Sequence, residues 1–271
     1  MEVGSEENIV FFDSHCHLDF DVFSSCREML WQKCLESGIQ HLLIPGVKPE
    51  HWSAALSVAA AYDGVVMSCG LHPWFIEEGY SVAGAGNVTP LPADDQWSSA
   101  LSPEHCVAVG ECGLDAIIAT PLSVQIPIFE RHLAIAKQLE MPVIIHVRNT
   151  HNETIRLLKK YRLAYGGVIH GFTGSKELAA EYWAMGFYLG VGGSITYPRA
   201  KKTREAIRAM PLESLLLETD APNMPLMGYQ GKNNSPLQLP LIASVLAELR
   251  GVLVKDVAKA TTDNSCSLFG I

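Results

Sequence analysis

No apolar run in this chain approaches the ~18 residues that a membrane-spanning helix requires. The stretch Met1 to Asn8 is acidic and holds no apolar signal region, so no membrane partner is expected. There is no Cys-x-x-Cys pair, and the seven cysteines are an odd number, which points to reduced thiols in a cytoplasm. Positive charge is scarce. Twenty Lys and Arg stand against 29 Asp and Glu, giving a net charge of −9. That is the wrong sign for coating duplex nucleic acid, so any nucleic-acid contact must be local, at an end or on a single strand. No Gly-x-Gly-x-x-Gly follows the first apolar run, and Gly190-Val191-Gly192-Gly193 fits that pattern poorly, which counts against an open dinucleotide-binding sheet. Linkers, low-complexity tracts and repeats are also lacking, so residues 1–271 are expected to form one domain, with a monomer the favoured state.

What the chain does contain is alternation. Short apolar runs at Ile9–Phe12, Ile39–Ile44, Val65–Gly70, His105–Gly110, Pro142–His146, Gly167–His170, Phe187–Val191 and Ser214–Leu217 read as strands. Helical patterns follow at Phe23–Ser37, Pro49–Tyr62, Val124–Leu139, Asn152–Tyr161, Lys176–Met185 and Lys201–Ala209, and two more near Pro236–Leu249 and Val254–Leu268 close the chain. The Gly/Ala/Pro-rich stretch Gly79–Pro92 is the weakest in pattern. A hydrophobic content of 48% is ample for a core. Eight strand-helix units in a chain of this length predict an α/β fold, a (β/α)8 TIM barrel.

In such a barrel the strand C-termini share one face, where catalytic side chains collect. The first run opens into Asp13-Ser14-His15-Cys16-His17-Leu18-Asp19. Alternation along an extended chain would send Asp13, His15 and His17 one way and Ser14 and Cys16 the other. Later strand ends bring Glu111, His146, His170 and Asp220. Singly, each has an ordinary structural explanation. Together, four histidines and two carboxylates suit two divalent ions ~3.5–4 Å apart with a carboxylate bridging them. Mixed nitrogen and oxygen donors admit Zn, Mn or Mg, with Mg less natural for imidazole.

These residues carry a resemblance. Asp13 to Asp19, Gly110-Glu111-Cys112-Gly113-Leu114-Asp115, His146-Val147-Arg148, His170-Gly171-Phe172-Thr173-Gly174-Ser175 and Glu218-Thr219-Asp220-Ala221-Pro222 are similar to motifs of the TatD family of metal-dependent hydrolases. Gly190–Arg199, Leu215–Pro225 and Gln230-Gly231 resemble its YjjV-type branch more closely still. Cys112 and Gly171 depart from the usual Ile and the frequent Cys, both at positions that are not ligands. The resemblance implies a TIM barrel of the metal-dependent hydrolase type and, for characterised members, DNase activity that includes 3′-to-5′ exonuclease action. Carried over, His15, His17 and Asp220 hold one metal, His146 and His170 the other, and Glu111 bridges. The expected substrate is a nucleic-acid end or a small phosphodiester, cleaved by an activated water. Another ester, such as a D-aminoacyl-tRNA linkage, is the alternative, and a non-enzymatic metal site is a third class that an open water position argues against.

Asp220, at the barrel mouth, is the choice for a catalytic carboxylate alongside Glu111, with Glu218 one layer deeper as either a partner for a ligand histidine or an ordinary ion pair. Arg148 suits a bidentate phosphate grip, against a local ion pair. His72, in the loop after the third strand, is either a substrate contact or a turn residue, and Arg199 and Lys232 are expected on a locally basic rim. Cys16 and Cys112 are expected to pack rather than ligate.

Overall fold

In the computed structural model, residues 9–78, 80–81, 89–90, 97, 99–100 and 104–271 are described. The acidic stretch Met1–Asn8 lies outside them, as does most of Gly79–Pro92. Eight parallel strands form one sheet in sequence order: β1 (Phe11–Asp13), β2 (Ile39–Ile44), β3 (Val65–Cys69), β4 (Cys106–Asp115), β5 (Val143–Arg148), β6 (Gly167–Ile169), β7 (Phe187–Val191) and β8 (Leu215–Leu217). The chain closes the sheet just beyond the ends of β1 and β8, where Ser14 N–H donates to Leu217 O at 2.9 Å and Asp220 N–H donates to His15 O at 2.8 Å. The fold is the expected TIM barrel.

Strand alternation divides the core into two layers. Phe12, Leu43, Val66, Ala108, Ile144, Val168 and Leu216 fill the barrel interior, with Phe269 closing its floor. Their neighbours, such as Leu42, Ile44, Val143, Ile145, Leu189 and Leu217, face the helices. Those helices are α1 (Arg27–Glu36), α2 (Trp52–Ala61), α3 (Leu122–Leu139), α4 (His151–Tyr161), α5 (Lys176–Ala184), α6 (Lys201–Ala209), α7 (Leu239–Arg250) and α8 (Val254–Phe269). In α3, Gln125, Ile128, Phe129, His132, Leu133 and Ala136 are buried at three- and four-residue spacing, the stripe an outer barrel helix needs. No single described helix is long and apolar enough to cross a membrane.

Three elements differ from expectation. The helix expected over Phe23–Ser37 is interrupted: a short turn at Asp21–Ser24 precedes α1. Arg27 explains the break, because its guanidinium donates to the carbonyls of Leu18, Asp19 and Phe20 and holds the incoming loop across the start of α1. Strand β1 ends at Asp13, so His15 and His17 sit on the irregular segment that follows it and not on the strand. Strand β4 runs on to Asp115, and its register against β5 shifts between Val109 and Cys112. Such a bulge resets which residues face inward, and it is how both Ala108 and the odd-numbered Glu111 reach the interior.

Candidate metal centre

Five carboxylates are buried among the described residues: Asp13, Glu111, Asp115, Glu218 and Asp220. Among the described residues no lysine or arginine is buried. Buried charges without partners are costly, so something else must balance these acids. Histidines do so in part. Glu111 Oε2 lies 3.2 Å from His15 Nε2, while Oε1 lies 3.4 Å from His72 Nε2, 3.3 Å from His146 Nδ1 and 4.0 Å from His170 Nε2. Asp220 Oδ1 is 3.3 Å from His17 Nε2 and 3.8 Å from His15 Nε2. Three sets of ligand-type atoms result, each within 4.8 Å: His15–His17–Asp220, His15–Glu111–His170 and His72–Glu111–His146.

All six expected ligands therefore converge, with one regrouping. The resemblance paired His146 with His170. In the structure His170 groups with His15, and His146 groups with His72. His72, weighed from sequence as a substrate contact or turn residue, is buried among ligand atoms, its Nδ1 accepting the Trp74 backbone N–H at 3.1 Å.

The residues fit divalent metal on structural grounds. Both ring nitrogens of His15 are buried with no hydrogen-bond partner, although Glu111 Oε2 is only 3.2 Å from one of them. Short distances without alignment are what lone pairs aimed at a common point produce. The His15 and His170 rings are stacked at 3.5 Å between centroids, which brings two nitrogen donors together without a bond between them. The field points the same way. Burial opposes a charge on His170, but the carboxylates of Glu218, Glu111 and Asp220 outweigh it and push the imidazole up to about 10. Burial raises Glu111 too, yet His72, His15 and His170 hold it well below the usual carboxylate range. Asp220 is likewise lowered, burial being outweighed by the His17 hydrogen bond and the nearby imidazoles. The centre attracts positive charge.

Supporting side chains fix the ligands. Asp115 Oδ2 lies 3.3 Å from His146 Nε2 and accepts the Trp74 indole N–H at 2.8 Å, leaving His146 Nδ1 toward Glu111. Glu218 Oε1 accepts the Gly171 N–H at 2.6 Å and lies 3.2 Å from His170 Nδ1. Room for Glu218 comes from Gly190, where any Cβ would collide with its carboxylate. Asp13 is absent from the three ligand sets. It accepts from Thr219 N–H at 2.9 Å and Thr219 Oγ1 at 2.6 Å, tying the end of β1 to the segment after β8. Burial pushes its carboxyl up to about 8 against the pull of those bonds. Cys16 and Cys112 are core residues, as expected.

A cavity of about 550 Å³ opens over the centre, lined in part by Phe20, Trp74, Phe75, Arg148 and Met224. Arg148 is exposed, and among the described residues no carboxylate forms an ion pair with it. Its guanidinium is free for an incoming anion. Arg148→Ala should therefore raise KM for a phosphate substrate while leaving the melting temperature near wild type. Unchanged kinetics on every phosphate substrate, or a failure to fold, would refute this. Arg199 and Lys232 do not line the cavity. Both are exposed, and the Arg199 guanidinium lies 4.9 Å from the Tyr197 ring centroid, so the basic rim reduces to Arg148.

The family model described as TatD related DNase matches residues 12–270. The chain belongs to the TatD family. An Escherichia coli (strain K12) relative, the uncharacterized metal-dependent hydrolase YjjV, is 39% identical over 264 residues, covering 96% of this chain and 98% of its own. A metal-dependent hydrolase of Haemophilus influenzae is 35% identical over 96% of this chain and 99% of its own. The crystal structure of YjjV, titled a TatD homolog, superposes with a TM-score of 0.89 over 96% of this chain and 98% of its own, at 39% identity. A TatD-family hydrolase of Entamoeba histolytica shares the fold at 18% identity and a TM-score of 0.81, over 96% of this chain and 98% of its own. Members of this family thus share the barrel that brings His15, His17, Glu111, His146, His170 and Asp220 together in this chain.

Proposed function

We propose that this metal-dependent hydrolase of the TatD family cleaves phosphodiester bonds, acting on DNA from a 3′ end. The observation that carries the reading is the division of Glu111, one oxygen beside His15 and the other beside His72 and His146. A carboxylate placed that way can serve two cations at once, the arrangement suited to in-line displacement at phosphorus. Histidine-rich donors favour Zn or Mn over Mg. Divalent ions held there would polarise the phosphoryl oxygens and make water a stronger nucleophile at neutral pH. Arg148 grips a non-bridging phosphate oxygen pair. Asp220, at the cavity floor, accepts the proton of the attacking water, while Asp115 and Glu218 hold His146 and His170 in place. The acidic surface and the cavity suit a strand terminus rather than a wrapped duplex.

The test is a panel on protein reconstituted with Zn or Mn: single- and double-stranded DNA with free 3′ ends, RNA, and D-aminoacyl-tRNA. A ladder shortening from the 3′ end of DNA is the expected result. Deacylation of the charged tRNA with DNA left intact would replace this reading by ester hydrolysis.

A further inference from the structure

Trp74 is 49% exposed, yet it lines the cavity over the metal centre. A large aromatic surface left in water needs a reason, and side-chain freedom is not one here. Its indole N–H is bonded to buried Asp115 at 2.8 Å and its backbone N–H to His72 Nδ1 at 3.1 Å. The ring also stands edge-on to the His72 imidazole, 5.3 Å between centroids at 90°. The indole is thus held in one orientation by two residues of the centre itself.

Its neighbours supply the rest of a binding site. Arg148 is the register partner of Asp115 across β4 and β5, and its guanidinium, which has no ion-pair partner among the described residues, lines the same cavity as the indole bonded to Asp115. Phe20, Phe75, Val147 and Met224 line the same cavity and give it apolar walls. A cationic grip beside a fixed aromatic face matches a ligand that joins a phosphate to a flat ring. We propose that Trp74 is a stacking platform for the nucleobase of the nucleotide whose phosphate Arg148 holds. This rests on the phosphodiesterase reading for its choice of ligand. Every base has a π-face, so the platform selects for the presence of a base and not for its identity.

The test is equilibrium binding by calorimetry, with metal-loaded protein titrated with 2′-deoxyadenosine 5′-phosphate and with 2-deoxyribose 5-phosphate. The nucleotide should bind tighter by about five- to a hundredfold, the scale set by alanine substitution at base-stacking aromatics. Trp74→Ala should bring the nucleotide down to the affinity of the sugar phosphate. Trp74→Phe keeps a ring but loses the bond to Asp115, and it should retain most of the preference. No preference in the wild type, a preference that survives Trp74→Ala, or equal losses in both variants would overturn the platform. DNA cleavage by a protein that shows no base preference removes the platform alone. A Trp74-dependent preference in a protein that cleaves no phosphodiester removes the proposed reaction alone.

Discussion

Asp220→Asn should abolish turnover while the barrel stays folded. Asp220 sits at φ +56°, a left-handed conformation that asparagine tolerates better than most residues, so the backbone can remain as it is. Its N–H still reaches His15 O at 2.8 Å and closes the barrel. The variant loses the negative charge beside His15 and His17 and the ability to accept a proton. General-base contributions of about 10²–10⁴-fold set the scale, and weaker metal retention adds to the loss. Turnover should be measured at saturating metal, with circular dichroism and melting temperature as controls for folding. Normal kcat under those conditions would remove Asp220 from the reaction.

Glu218→Gln should weaken metal affinity by about 10–100-fold, the usual consequence of removing a carboxylate behind a ligand histidine. Glu218 has no lysine or arginine partner among the salt bridges of the described residues. Its Oε1 faces His170 Nδ1 at 3.2 Å and accepts the Gly171 N–H. Glutamine retains the size and one acceptor oxygen but not the charge that makes His170 a stronger donor. Excess metal should restore part of the activity, which separates this loss from the Asp220 effect. Titration with a competing chelator gives the affinity directly, and an unchanged value would reduce Glu218 to packing.

The alternating pattern made the barrel legible, because each regular strand shows its parity in its apolar residues. Ile144 points inward, so His146 does too; Val168 and Leu216 do the same for His170 and Glu218. That logic ends where strands stop being regular. Alternation was not what placed His15 and His17, since the chain leaves β1 at Asp13 and is held by bonds to Leu217, Leu43 and Ala221. Glu111 is recognisable by its motif, but the bulge that aims it inward has no apolar signature. Asp115 stands in the same motif and could have been singled out two alternations past Glu111, on the same side of β4. Trp74 belongs to a 3₁₀ turn, where spacing says nothing about direction. Arg199 and Lys232 show the limit of reading charge alone, because local basicity does not say which way a loop turns its side chains.

Metal content is the most direct measurement of the shared centre. Protein reconstituted with Zn or Mn, freed of excess ion and analysed for metal against protein concentration, should hold about two ions per chain. Glu111→Ala, which removes the carboxylate common to two of the ligand sets, should lose at least one of them. A folded wild-type protein that holds no metal, or a Glu111→Ala variant that keeps both ions, would contradict the bridged two-metal centre.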